Sequence, residues 1–195
     1  MFETFLFRVN EAHGTKSSKP SDPIYYTSVS YASNITAILD QEGIKKAHYI
    51  GYSLGGYIGC CLLAHCPDRW TKMAIGGWNP EGTMPGFVAS MLANTYRQPW
   101  MDSKRDKPAL KQAIKGCTNA VPNLNEALEA CSNGSDGYPQ VMLWAGESDM
   151  VVGGIRKCAK KYNFPLATTP GSHEHVNLYV AGIPEMCEAL LAYLE

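Results

Sequence analysis

Ala47-His48-Tyr49-Ile50-Gly51-Tyr52-Ser53-Leu54-Gly55-Gly56 is the stretch on which the reading of this 195-residue chain turns. Its first four residues read as an apolar strand, and Leu54 to His65 reads as a helix stopped by Cys66-Pro67-Asp68. The junction between them is Gly-x-Ser-x-Gly. A serine held at a sharp strand-to-helix turn takes a strained backbone, and its neighbours two positions away must lack a Cβ for the turn to close. Gly51 and Gly55 meet that need. Ser53 then stands at a helix N-terminus, where backbone N–H groups, that of Leu54 first, face any negative charge developing beside it. Ser53 is therefore the candidate nucleophile and Leu54 the candidate oxyanion donor.

Working outward, Phe5 to Val9 is aromatic and β-branched enough for a strand, and Asn10 to Pro23 is a loop rich in Gly, Ser, Lys and Pro. Tyr31, Ile35, Ile38 and Leu39 recur at helical steps between about Ser28 and Gln41, and Gly43 stands where such a helix ends. Thr71 to Ile75 and Val141 to Ala145 predict strands, Gly154 to Tyr162 a helix, Phe164 to Thr169 a short strand, and Val176 to Leu194 a last helix. Strands alternating with helices predict an α/β fold with a largely parallel sheet in one domain, 1–195. Residues 78–139 interrupt the alternation with six prolines and short helical patches, which predicts an inserted lid.

Composition narrows the function. Hydrophobic residues make up 45% and charged residues 18%, which predicts a folded chain, and the net charge of −1 with no long basic run argues against nucleic acid as a partner. The longest apolar runs, such as Ile58 to Ala64, fall well short of the ~20 residues of a membrane span. Glu3 stands where an export signal would be positive, so a cytoplasmic location is expected. Seven cysteines without a C-x-x-C pair fit neither a zinc site nor a disulfide framework. Buried, reduced thiols are expected, with a Cys117–Cys131 bridge or a redox role as the alternatives.

A serine hydroxyl needs a histidine to take its proton, and that imidazole needs a carboxylate to fix its tautomer. Asp149 follows a strand and a glycine, 96 residues after Ser53, at the sheet end where ligands gather in α/β folds. It is the candidate acid, with Glu147 as the fallback and a helix N-cap as the alternative role for Asp149. His173 and His175 share one loop after the short strand. His13, His48 and His65 read as structural. Two histidines around Glu174, without further ligands, do not make a metal site.

These landmarks together resemble the α/β-hydrolase superfamily over nearly the whole chain. Ala12 to Pro20 is similar to that family's G-H-G-x-S-x-x-P loop, and His65-Cys66-Pro67-Asp68-Arg69 to the stretch closing its elbow helix. Ala145 to Asp149 is similar to its G-x-x-D, and Pro170 to Val176 to the loop delivering its histidine. The resemblance implies a triad of Ser53, Asp149 and His175, with His173 as the alternative base, since the family's histidine is usually followed by an apolar residue such as Val176. It implies hydrolysis of carboxylic esters, with no metal or organic cofactor. Tyr52 in the elbow, and Trp78, Phe87 and Met91 in the lid, are the expected substrate-binding residues. Met and aromatic side chains there would suit a small apolar acyl or alkyl group.

The resemblance begins at what would be the family's fourth strand, so the first three strands and the loop supplying a second oxyanion N–H have no expected counterpart. Reading His13-Gly14 as that loop is the alternative. A gap beside Ala47 to Ile50 would leave a strand edge. Phe5 to Val9 could fill it, a second copy of the chain could pair there, or the chain could be a shortened form of a longer protein. The rival function is a catalytically impaired binding or interaction domain.

Overall fold

The computed structural model describes residues 20, 22–82, 112, 115, 116, 119–169 and 184–195. In chain order it places α1 (Ser28–Gln41), β1 (Ala47–Tyr52), α2 (Leu54–His65), β2 (Trp70–Gly76), α3 (Leu124–Ser132), β3 (Gln140–Gly146), α4 (Val152–Tyr162), β4 (Leu166–Thr169) and α5 (Pro184–Leu194). The expected strand Phe5 to Val9, residues 176–183 of the expected last helix, and Cys117 lie outside the described residues.

The local signals set the ends of these elements. Thr27 caps α1 by accepting from the Ser30 N–H at 3.2 Å. Gly43 takes φ +69° just beyond the helix, and the Ile44 N–H returns to the Leu39 carbonyl at 2.8 Å. α4 ends on Asn163 at φ +53°. Arg69, after α2, donates from Nε and Nη2 to the Lys45 and Ile44 carbonyls at 2.8 and 2.9 Å and pairs with Asp40 at 2.8 Å. These bonds tie the start of β1 to the far end of α2.

The strands form one parallel sheet in the order β1-β2-β3-β4. Because helices cover both faces, the central strands are apolar along their length: β3 is buried at every residue but Gln140. Met73, Ile75, Val141, Leu143 and Ala145 belong to the main core with α1 to α4, whereas Ala74, Met142 and Trp144 meet Met186 and Leu190 of α5. That division follows the two-residue alternation of a strand. α2 is buried from Gly56 to Leu63, which is why its sequence carries no polar stripe. β1 is the edge strand among the described residues, and its Ile50 is 47% exposed. No described helix is long and apolar enough to cross a membrane.

Cys60, Cys61 and Cys158 are buried in the main core, and Cys131 is a free thiol packed against it. Burial pushes the Cys60 thiol up, and the Cys131 and Cys158 thiols up to about 12, which leaves them protonated packing residues.

From residues 78–139, α3 reaches the main core through Leu124, Ala127 and a fully buried Leu128. Leu128→Ala should therefore cost about 2–5 kcal/mol, as deletion of a core leucine does. Urea denaturation followed by circular dichroism measures this directly.

Candidate active site at the carboxyl ends of the strands

Ser53 sits between β1 and α2 at φ +56° and ψ −113°, a conformation that a residue with a side chain adopts only under strain. Two backbone bonds hold it there. Its N–H donates to the Gly76 carbonyl at 2.9 Å, and its own carbonyl accepts from the Tyr57 N–H at 3.0 Å. The strain expected of the elbow is thus present in the backbone.

The glycine requirement differs from the expected one. A Cβ on Gly51 would collide with the Gly55 carbonyl and come within 2.6 Å of the Tyr49 ring, as the tight turn predicts. A Cβ on Gly55 would meet nothing nearer than the Tyr49 hydroxyl at 3.8 Å, an ordinary contact. The steric demand falls instead on Gly56, where a Cβ would strike the Gly76 carbonyl and stand 2.7 Å from Trp78 Cβ, and on Gly59 beside Tyr49 and Ile75. Helix α2 crosses the end of β2 too closely for a side chain at 56. Gly55 contributes its carbonyl, which accepts from the buried Tyr49 hydroxyl at 2.6 Å.

Asp149 lies just beyond β3 and is 2% exposed. A buried carboxylate has to be hydrogen-bonded. Its Oδ1 accepts from the Val151 N–H at 3.1 Å and its Oδ2 from the Tyr52 hydroxyl at 2.9 Å. The Oδ1 bond is made to Val151, the residue just before α4, and the Asp149 carbonyl accepts from the Val152 N–H at 3.0 Å, so the carboxylate also ties down the start of that helix. Glu147 is exposed and faces Arg156 at 3.9 Å.

The fold therefore brings Ser53, Leu54, Tyr52 and Asp149 together where the carboxyl ends of β1, β2 and β3 meet. Leu54 is the first residue of α2, at the end where backbone N–H groups lack intrahelical acceptors. Trp78 follows β2 with its ring edge-on to Tyr57, centroids 5.1 Å apart. A cavity of about 300 Å³ opens beside these two rings toward Glu81, Asn119, Asn123 and Glu126. Ser53 and Asp149 do not line it. Phe87, Met91, His173 and His175 lie outside the described residues.

Of the other histidines, His13 lies outside the described residues, and His48 and His65 are tied into the scaffold. His65 Nε2 is 2.9 Å from Ser28 Oγ, and His48 Nδ1 is 2.7 Å from Thr71 Oγ1. Burial holds both below the usual imidazole value, with the Lys72 charge adding to the effect at His48.

The sequence profile of the family described as the alpha/beta hydrolase fold matches residues 14–96. The chain superimposes on a carboxylesterase from Nitrososphaera gargenis with a TM-score of 0.70 at 17% identity, covering 91% of this chain and 74% of that one. The chain has the α/β-hydrolase fold, and the match over residues 14–96 supports that superfamily. The enol-lactonase of Burkholderia xenovorans LB400 shares the fold with a TM-score of 0.67 at 17% identity, over 95% of this chain and 78% of that one. Sequence relatives match over shorter spans. RutD of Caulobacter vibrioides, which carries a provisional name as a carbamate hydrolase, is 34% identical over 67 residues, 34% of this chain and 25% of its own length. A 2-hydroxy-6-oxononadienedioate/2-hydroxy-6-oxononatrienedioate hydrolase of Pseudomonas is 32% identical over 80 residues, 38% of this chain and 28% of its own length. The matched segment thus spans about a quarter of these curated relatives.

Within this superfamily fold, Gly55 and Gly56 are separable. Gly55→Ala should be neutral or stabilising by up to about 1 kcal/mol, the helix-propensity gain. Gly56→Ala should cost about 1–3 kcal/mol through overpacking against a backbone carbonyl. Thermal unfolding of the two variants beside the parent tests the difference.

Proposed function

We propose that the chain is a serine hydrolase acting on carboxylic esters with small apolar acyl or alkyl groups. The observation that carries this reading is the strained Ser53 at the head of α2, preceded by Tyr52, whose hydroxyl bonds the buried Asp149 carboxylate. A serine kept at φ +56° is a conformation that a fold retains where the strain serves a purpose.

In this reading Ser53 Oγ attacks the ester carbonyl carbon while His175, or His173 in its place, takes the hydroxyl proton. The tetrahedral oxyanion is met by the Leu54 N–H at the start of α2. The C–O bond then breaks, and the alkoxide leaves as the alcohol with the proton from the imidazolium. Water, deprotonated by the same imidazole, attacks the acyl-enzyme and releases the carboxylic acid and Ser53. Asp149 orients the imidazole and balances its positive charge. Trp78, Phe87 and Met91 would form the apolar side of the substrate site. Relatives named as a 2-hydroxy-6-oxononadienedioate/2-hydroxy-6-oxononatrienedioate hydrolase and, provisionally, a carbamate hydrolase, and a structural neighbour named as a carboxylesterase, support hydrolysis as the reaction class.

Treatment with an alkyl fluorophosphonate, read by intact mass, tests the reading without assuming a substrate. One adduct is expected on the parent and none on Ser53→Ala, with labelling slowed by about 10³–10⁴ in Asp149→Asn, where the imidazole loses its charged partner. His175→Ala and His173→Ala assign the base by which of them abolishes labelling. A folded parent that takes no adduct would favour the binding-domain reading instead.

A further inference from the structure

We infer that Tyr52 is a positioning residue for the acid of this site: its phenol holds the Asp149 carboxylate in the orientation from which it supports the catalytic imidazole. The inference rests on the reading of Asp149 as that acid and goes beyond it by assigning the residue that sets its geometry.

The arrangement is built across three strands. Tyr52 ends β1 on the face opposite Tyr49, and its ring packs against Trp144 of β3 with centroids 4.7 Å apart and planes tilted by 33°. β2 lies between them and would block the crossing if its end carried side chains. It ends in Gly76-Gly77. A Cβ on Gly76 would strike the Trp144 indole, and a Cβ on Gly77 would stand 2.5 Å from Tyr52 Cε2. Gly77 also takes φ +59°, and its N–H donates to the Trp144 carbonyl at 3.0 Å, which fixes the slot. Two glycines and one indole thus clear and hold a path for the phenol to reach Asp149 Oδ2 at 2.9 Å, 97 residues away in sequence.

The chemistry at the end of that path is specific. The Val151 N–H takes Oδ1 and the phenol takes Oδ2, so both oxygens are tethered and the carboxylate plane cannot rotate freely. A carboxylate oxygen accepts more than one bond, so Oδ2 keeps capacity for an imidazole N–H. Burial of the ring first, and then the neighbouring carboxylate, raise the Tyr52 pKa, which keeps the phenol a donor throughout the working pH range. Among the described residues, the other charged groups on this loop and on α4's first two turns are Glu147, Arg156 and the exposed Lys157, of which Glu147 and Arg156 face each other at 3.9 Å and are about half exposed. A group that only lined an apolar substrate site would have no use for this hydroxyl, since phenylalanine would fill the slot as well.

The experiment is the pH dependence of fluorophosphonate labelling in Tyr52→Phe, Asp149→Asn and the double variant. Tyr52→Phe removes one oxygen and leaves the ring in its slot. Labelling should slow roughly 10-fold, as loss of a charge-assisted bond allows. The midpoint of the pH–rate profile should rise, because the carboxylate facing the imidazolium is no longer partly neutralised by the phenol. Adding Tyr52→Phe to Asp149→Asn should change the rate less than two-fold, since a residue acting through Asp149 has nothing left to position. A slower rate with an unmoved midpoint, or a full 10-fold loss persisting on the Asp149→Asn background, would overturn the assignment. So would a Tyr52→Phe variant indistinguishable from a labelling parent, and in that case the serine-hydrolase reading stands. A parent that never labels at Ser53 would overturn both together.

Discussion

The close passage of α2 over the carboxyl end of β2 is the constraint on which the rest of the structure depends. Gly56 meets the Gly76 carbonyl with no room for a Cβ, and the same carbonyl accepts the Ser53 N–H. One backbone oxygen therefore sets both how near the helix lies and how the turn before it is held. The strained backbone of Ser53 follows, because a strand and a helix locked this near each other leave a single residue to make the reversal. The cost of order 1–3 kcal/mol is small beside the burial of Tyr57, Leu62, Leu63, Met73 and Ile75 that the same packing produces.

Polar groups near the turn are satisfied by the surrounding scaffold. Tyr49 points into the main core and bonds Gly55, whereas Tyr52, on the opposite face, bonds Asp149. Strand alternation alone separates these two tyrosines, three residues apart, into different jobs. Asp149 can be buried as a carboxylate because a phenol and a backbone N–H reach it, and each is placed by an element that the core holds rigidly. The reactive region is thus an extension of the packing that stabilises the sheet.

Much of this was legible in the residue order. The limits of α1 and α2 were readable because caps, glycine and proline stops act within a few residues: Thr27 before α1, Gly43 after it, Pro67 after α2. The alternation of strands and helices gave the parallel α/β class, and the chain order of Ser53 and Asp149 gave the candidates. The role expected of Gly55 was misplaced by one residue, because the obstacle to a Cβ is the carbonyl of another strand rather than the turn itself. The helix Leu124–Ser132 read as a patch of an inserted segment, yet Leu128 lies in the main core. Short-range patterns do not say which elements touch.

By itself, the sequence determined the described strands and helices to within a few residues and the elbow that carries Ser53, since each depends on backbone preferences and apolar periodicity over a short span. The tertiary structure decided which glycines are obligatory, that Asp149 is buried while Glu147 is exposed, and that Tyr52 rather than a neighbour reaches the carboxylate. Those outcomes depend on the order β1-β2-β3, which sets residues 97 apart side by side. Distance along the chain carries no record of that adjacency. It is created when the parallel strands pair and β2, ending in two glycines, lets one ring cross.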